Sequence, residues 1–146
     1  MAAPYRLGSV RRCINHLVQA LLWLGLGPPH TYVVIVRGRR TERLYSTPVR
    51  LVEEGSQRWL VAPYGEVAWV RNARAAGHVV LSRGRRLELV KITELQPEWA
   101  ARVLKEYITQ VPITRPCFDV TPQSSIEDFI AEAPRHPVFR IDPLSH

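Results

Sequence analysis

Short runs of β-branched and apolar residues, separated by turn-forming residues, recur along the chain from residue 31 onwards. Their lengths and composition are those of β-strands. Because most neighbouring runs are joined by short turns, they predict antiparallel hairpins and exclude a doubly wound parallel sheet. The predicted strands are Thr31–Arg37, Tyr45–Val52, Arg58–Ala62, His78–Arg83, Leu87–Ile92 and Pro137–Ile141.

Helical segments are predicted between and around these strands. Glu66–Ala76 has helical propensity and ends at Gly77, a residue type that favours the position after a helix. Pro97–Gln110 opens with proline at a helix start, and Ser124 with Glu127 has capping-box spacing before a short helix. The pattern predicts a mainly β protein with peripheral helices (α+β), built on a six-stranded antiparallel barrel.

The length of 146 residues predicts a single domain, 1–146, with an N-terminal helix at about 9–25. The apolar stretch Leu17–Gly27 is shorter than the roughly 20 residues that span a bilayer. We therefore favour a helix that covers one face of the domain over a helix that lies on a membrane surface. Cys13 and Cys117 do not form a disulfide or metal-ligand pattern, which indicates a reducing cytoplasm.

Positive charge is concentrated in the first two thirds of the chain. The formal net charge is +7, and arginine makes up most of the basic residues. Arginine favours bidentate recognition of phosphate or carboxylate, although a GC-rich genome also replaces lysine with arginine. The position of the arginines therefore matters more than their number.

Common enzyme motifs are missing from the sequence. It has no P-loop, no Gly-rich dinucleotide fingerprint, no nucleophile elbow and no metalloprotease helix motif. The histidines are scattered, so we do not expect a metal site.

Two basic segments predict a site for an anionic ligand. Arg37–Val52 places five arginines and one glutamate on one hairpin. Alone, such a run is as consistent with a solvated hairpin tip as with an anion site. The segment "WVRNARAAG" adds Trp69 and Asn72 near one helix face, with Arg71 beside them. An aromatic ring, an amide and arginines on one short helix favour a ligand wall over core packing.

These two segments resemble the paired signatures of the deazaflavin-dependent nitroreductase family. That family consists of split β-barrel reductases that use the 8-hydroxy-5-deazaflavin coenzyme F-420. The resemblance is carried by Gly38–Thr41, by Thr47-Pro48 and by the Trp-x-x-Asn pattern of Trp69 and Asn72. It is clear over residues 30–95, and element order extends it to the rest of the chain.

The resemblance implies a set of cofactor-binding residues. The candidates for the anionic coenzyme tail are Arg39, Arg40, Thr41, Tyr45 and Asn72. The candidates for the ring end are Thr47, Pro48, Ala62, Pro63 and Tyr64. Neighbouring positions in the same motifs complete the set with Ser46, Trp69 and Arg71.

The sequence departs from the family pattern at Glu42, where glycine is usual, and at Leu44, where proline is common. A non-glycine residue in a turn that requires positive φ costs about 1 kcal/mol. The resemblance therefore leaves open whether these two residues alter the contacts to the coenzyme phosphate.

The implied reaction is a hydride transfer from the reduced coenzyme to a small-molecule acceptor, such as an activated enone, a quinone or a nitro-heteroaromatic. No essential catalytic side chain is assigned. Tyr64 is either a proton donor or a packing surface for the cofactor, and Tyr107 and Phe118 are predicted to contact the substrate.

Several alternatives stay open. An FMN-, biliverdin- or haem-related split barrel has the same architecture, with FMN as the second choice of cofactor, and a coenzyme carrier needs no reaction. A nucleic-acid-binding barrel is disfavoured because the strands lack an exposed aromatic cluster. The physiological substrate, the proton donor and the choice between monomer and homodimer are not determined by the sequence.

Overall fold

A computed structural model describes residues 30–144 of the protein. The predicted N-terminal helix at about 9–25 and Cys13 lie outside these residues. The strands are β1 (Thr31–Arg37), β2 (Leu44–Glu54), β3 (Gln57–Val61), β4 (His78–Arg83), β5 (Arg86–Glu94) and β6 (Val138–Pro143). The α-helices are α1 (Ala68–Ala76), α2 (Pro97–Gln110) and α3 (Ile126–Glu132), and 3-10 turns cover Pro112–Cys117 and Ala133–Arg135.

The six strands close into a barrel in the order β1-β2-β3-β6-β5-β4, and every neighbouring pair is antiparallel. Closure depends on β1 and β4, which pair through only three residues each, from Val33↔Ser82 to Ile35↔Val80. The last strand in the sequence, β6, lies between β3 and β5. The predicted six-stranded antiparallel barrel is confirmed.

The barrel is filled by the inward-facing residues of its strands. Alternation places Val34 and Val36 inside from β1, and Val49 and Leu51 inside from β2. Helix α1 closes one end and contributes Val70 and other residues to the same cluster. Full burial of one such side chain stabilises the fold by about 1.5–3 kcal/mol.

A second apolar cluster lies outside the barrel, where α2 and α3 pack on strands β2, β3 and β6. It joins Val52 and Val61 of the strands to Leu104 and Ile108 of α2 and to Phe129 of α3. Strands β2 and β3 are therefore buried on both faces over part of their length, which explains the adjacent apolar residues Leu51-Val52 and Trp59–Val61.

Several predicted boundaries differ from the structure by one or two residues. Helix α1 begins at Ala68 and not at Glu66, because Gly65 first makes a turn with φ 85°. The cap of α3 is Ser125 and not Ser124: the Ser125 hydroxyl accepts a hydrogen bond from Asp128 N–H. The Ser124 hydroxyl instead accepts from Thr121 N–H, one turn earlier. Strand β2 continues through Glu54, two residues beyond its predicted end.

The β1–β2 hairpin keeps a left-handed residue at the position where the family pattern has glycine. Glu42 has φ 62°, and its N–H donates to Gly38 O over 3.3 Å. Gly38 N–H in turn donates to Arg43 O over 2.7 Å. The turn is therefore formed with a strained residue, because a side chain at positive φ crowds its own backbone.

We predict that Glu42→Gly raises the free energy of unfolding by about 1 kcal/mol, because glycine adopts positive φ without this strain. Urea unfolding at equilibrium measures the change. Glu42→Ala is the matched control, since it removes the same charge but keeps Cβ, and it should leave stability almost unchanged. An equal gain in both variants would assign the effect to charge and contradict the strain.

Candidate functional site

The basic hairpin is organised by contacts among its own residues. The Thr41 hydroxyl is 3.0 Å from the Tyr45 hydroxyl and accepts a hydrogen bond from Arg43 N–H. A Cβ atom at Gly38 would lie 2.6 Å from the Tyr45 ring, so only glycine lets the ring pack on the turn. Arg39 and Arg40 are exposed at the tip. The hairpin thus presents its cations from a defined turn.

Helix α1 holds this hairpin through Asn72. The Asn72 side chain is 5% exposed, and its Oδ1 accepts hydrogen bonds from Arg39 N–H at 3.1 Å and from the Arg39 guanidinium at 2.7 Å. The two parts of the paired signature are therefore in direct contact, although 33 positions separate them in the sequence. This contact fixes both the backbone and the side-chain direction of Arg39.

The other residues of α1 that the sequence assigned to a ligand wall differ in their surroundings. Trp69 is 9% exposed and packs in the barrel core, with its ring centroid 6.3 Å from that of Phe139. Arg74 is bound by Glu66 and Glu94, so its charge is locally neutralised. Arg71 is exposed beside this cluster. A tryptophan at the i−3 position of a buried asparagine is also what core packing requires, so the Trp-x-x-Asn pattern alone does not separate a ligand contact from a core residue.

The predicted ring contacts on β2 lie on opposite faces of the strand. Thr47 pairs with Val34, an inward-facing residue, so Thr47 is on the inner side near the hairpin end. Ser46 and Pro48 point outward, as alternation requires. The planar ring of a cofactor on one side of β2 cannot contact the side chains of both Thr47 and Pro48. The predicted ring contacts therefore divide into an inner residue, Thr47, and an outer residue, Pro48.

The loop after β3 contains the other predicted ring contacts. Ala62 is 1% exposed, and its N–H donates to Pro137 O, so its side chain belongs to the barrel core. Pro63 is half-buried, whereas Tyr64 is 49% exposed. Gly65 follows with φ 85°, and its N–H donates a hydrogen bond to Ala62 O at 3.2 Å. Pro63 and Tyr64 are the part of this loop that a ligand can reach.

A buried polar pair anchors this loop from beneath. His136 Nδ1 is 2.9 Å from Pro63 O, and His136 Nε2 is 2.6 Å from a carboxylate oxygen of Glu132. Both residues are buried, and Phe118 stacks on the imidazole with 3.9 Å between ring centroids. Sequence reasoning missed this pair, because a glutamate and a histidine four residues apart carry no recognisable signal.

The hydrogen-bond partners of this pair hold the imidazole in place. A carbonyl oxygen only accepts, so Nδ1 donates to Pro63. The Glu132 side chain also accepts from the Arg135 guanidinium and from Asp119 N–H. His136 is therefore held between Glu132 and the Pro63 carbonyl, whose position it fixes.

The two predicted substrate residues lie close together but are buried. The ring centroids of Tyr107 and Phe118 are 6.5 Å apart, in the cluster between α2 and the barrel. Burial raises the pKa of the Tyr107 hydroxyl well above its usual value; Tyr64 raises it further, whereas a hydrogen bond with Thr114 and the charge of Arg50 oppose the shift. Tyr107 therefore stays protonated at neutral pH.

Arg50 is a candidate residue that sequence reasoning left unassigned. It follows Pro48 by two positions on β2, so it lies on the outer side, and its charge acts on Tyr107. Within residues 30–144, its buried Nε atom has no hydrogen-bond partner. The sequence did contain a signal for Arg50. An arginine at an outward position, close to a predicted ligand contact, is unusual on a strand that a helix covers.

A cavity of about 270 Å³ lies elsewhere, between the start of α2 and the segment that leads into β6. Its lining includes Gln96, Pro97 and Pro134 and none of the predicted site residues. Residues 30–144 contain no cluster of side chains suited to hold a metal ion. In the same residues, no helix has the length and apolar character needed to cross a bilayer.

Several solved structures share the fold of this chain, a six-stranded split β-barrel. One is an F-420-H2-dependent reductase (FDR-A), with 18% identity and a TM-score of 0.56 over 78% of this chain and 95% of that chain. An FAD-binding protein from Mesorhizobium loti has 9% identity and a TM-score of 0.51 over 89% of each chain.

A NimC/NimA family protein from Clostridium acetobutylicum matches with 8% identity and a TM-score of 0.50, over 84% of this chain and 80% of that chain. No protein-family model matches the sequence, and no curated protein sequence matches it either. At these identities the comparisons show the shared fold, which is the fold that the sequence resemblance implied.

We predict that His136→Ala lowers the free energy of unfolding by about 3–5 kcal/mol, because it leaves the Glu132 carboxylate buried without its main partner. Chemical denaturation measures the loss. Arg135→Ala is the matched control: Arg135 binds the same carboxylate from an exposed position, so its loss should cost much less than the loss of His136. Equal losses would show that burial of the pair does not determine its contribution.

Proposed function

We propose that the protein is an oxidoreductase that binds coenzyme F-420 and passes a hydride to electron-poor small molecules. The observation that carries this proposal is the contact between Arg39 and Asn72. It joins the two halves of the signature that resembles the deazaflavin-dependent family, and it orients a cation at an exposed tip. The fold shared with an F-420-H2-dependent reductase supports the same function.

The hairpin fits an anionic coenzyme tail. Arg37, Arg39, Arg40 and Arg43 are exposed there, with Glu42 as the only carboxylate between them. A charge-assisted hydrogen bond contributes about 1.5–3 kcal/mol, so two or three arginines suffice for tight binding of a phosphate and γ-glutamyl carboxylates. Because Asn72 already fixes Arg39, little side-chain entropy is lost when the tail binds.

The ring end fits the outer side of β2 and the loop after β3. Pro48 and the exposed ring of Tyr64 offer apolar contact surface there. Ala62 and Trp69, which the sequence placed at the ligand, act from beneath this surface by packing in the core. The imidazole of His136 holds the Pro63 carbonyl and thus the position of Tyr64.

When bound, reduced coenzyme F-420 supplies a hydride to an enone, a quinone or a nitro-heteroaromatic compound. The chain's own contribution is to bring two rings together and to keep water away from them. Tyr107 holds a proton on its hydroxyl at neutral pH, and Tyr64 is the more exposed hydroxyl. We assign no essential proton donor, since solvent can supply the proton.

We predict that the protein binds coenzyme F-420 more tightly than FMN, and that Arg40→Ala weakens coenzyme binding by about 1–3 kcal/mol without a change in thermal midpoint. A fluorescence titration measures both affinities. Arg102→Ala is the matched control, because Arg102 is an exposed arginine on α2, away from the hairpin. It should bind like the unmodified protein.

Two outcomes contradict this assignment. Equal or tighter binding of FMN would favour a flavin protein with the same fold, as the FAD-binding neighbour suggests. Unchanged coenzyme affinity in Arg40→Ala, together with a lower thermal midpoint, would make Arg40 a structural residue.

We also predict that deuterium carried at C5 of the reduced coenzyme appears in the reduced acceptor, in a reaction that requires the protein. Mass spectrometry of the product detects the transfer. Asn72→Ala should slow it mainly by misplacing Arg39, so a high coenzyme concentration should restore part of the rate. Binding without any protein-dependent oxidation across enones, quinones and nitro-heteroaromatics would indicate a coenzyme carrier instead.

A further inference from the structure

Arg50 carries a polar group that the described part of the chain leaves unsatisfied. Its Nε atom is buried, and residues 30–144 offer it no hydrogen-bond partner. An arginine remains ionised at every physiological pH, and a buried donor of a charged group without an acceptor is unfavourable. Native structures rarely contain such a group without a functional or solvent partner.

The register of β2 determines where this guanidinium lies. Val49 and Leu51 point into the barrel, so Pro48, Arg50 and Val52 point outward. Val52 is covered by the cluster under α2, whereas Pro48 lies at the predicted ring end of the cofactor site. Arg50 is therefore at the boundary between the covered and the accessible parts of the outer face.

The charge of Arg50 is not neutralised by an ion pair in the described part of the chain. The ion pairs among residues 30–144 do not include Arg50. Its charge acts on the buried Tyr107 hydroxyl, which is hydrogen-bonded to Thr114. The guanidinium can therefore donate hydrogen bonds to the oxygen of a ligand.

Arg50 is too far from the hairpin to bind the same anionic tail. Six residues separate Arg50 from Leu44, the first residue of β2, which corresponds to about 20 Å along a strand. The proposed coenzyme phosphate belongs to the hairpin, and the ring end lies between the two positions. The oxygen that Arg50 would meet is then one of the hydride acceptor.

We propose that Arg50 binds the carbonyl oxygen of an enone or quinone acceptor and stabilises the negative charge that develops there. This proposal rests on the proposed function. In an enone, the hydride forms a bond to the β-carbon, the C=C pair shifts, and the carbonyl becomes an enolate oxygen that lies against the guanidinium. Solvent then protonates the α-carbon, and the reduced coenzyme is oxidised by two electrons. Arg50 supplies charge and hydrogen bonds but no proton.

The first test measures kinetics with cyclohex-2-enone and with menadione. Arg50→Gln should lower kcat/KM by at least about tenfold, mainly through kcat, while coenzyme affinity changes less than about twofold. Arg50→Lys, which retains the charge but not the paired N–H donors of the guanidinium, should give an intermediate rate. Arg102→Gln, an exposed arginine on α2, should behave as the unmodified protein. Weaker coenzyme binding with unchanged acceptor kinetics would overturn the proposal.

The second test does not use the coenzyme, so it separates this proposal from the proposed function. The absorbance of 4-nitrophenolate, whose oxygen resembles that of an enolate, reports its binding to the protein at mildly alkaline pH. Arg50→Gln should weaken this binding by at least about tenfold, and Arg102→Gln should not. Equal binding by all three proteins, or none by the unmodified protein, would overturn the role of Arg50, whereas failure of coenzyme binding alone would overturn only the proposed function.

Discussion

The short pairing of β1 with β4 is the constraint on which the candidate site depends. Only three residues of each strand take part, yet this contact converts an open sheet into a barrel. Strand β1 carries the basic hairpin, and β4 directly follows α1. Closure therefore presses α1 against the end of β1, which is how Asn72 reaches Arg39. Without closure, the two halves of the signature would be distant segments of one chain.

Two buried polar side chains then fix the position of surface segments relative to the barrel. Asn72 fixes the hairpin backbone at one end of the site, and His136 fixes the Pro63 carbonyl at the other. Each makes at least two hydrogen bonds, so its burial is tolerated. Both fix more accessible residues from beneath, namely the exposed Arg39 and the half-buried Pro63. Arg50 differs from them, because its buried nitrogen has no such partner within residues 30–144.

The fold was largely predictable, because the local conformational preferences of the residues match the conformations that the barrel requires. β-Branched residues run through β1, Pro97 set the start of α2, and Gly77 the end of α1. The site was less predictable. Trp69 and Ala62 belong to conspicuous motifs but are core residues. Alternation already separates Thr47 from Pro48, whereas Glu132 and His136 become a pair only through burial and contacts from distant segments.

The position of β6 between β3 and β5 bears on how the chain reaches its folded state. Arg58 of β3 pairs with Ile141, about 80 positions later, so the barrel has high contact order and folding should be slow. During synthesis, β3 and β5 have emerged long before β6 and expose two unpaired edges that can join other chains. Strand β6, the last strand of the barrel to be synthesised, is thus the one that protects the nascent barrel from aggregation.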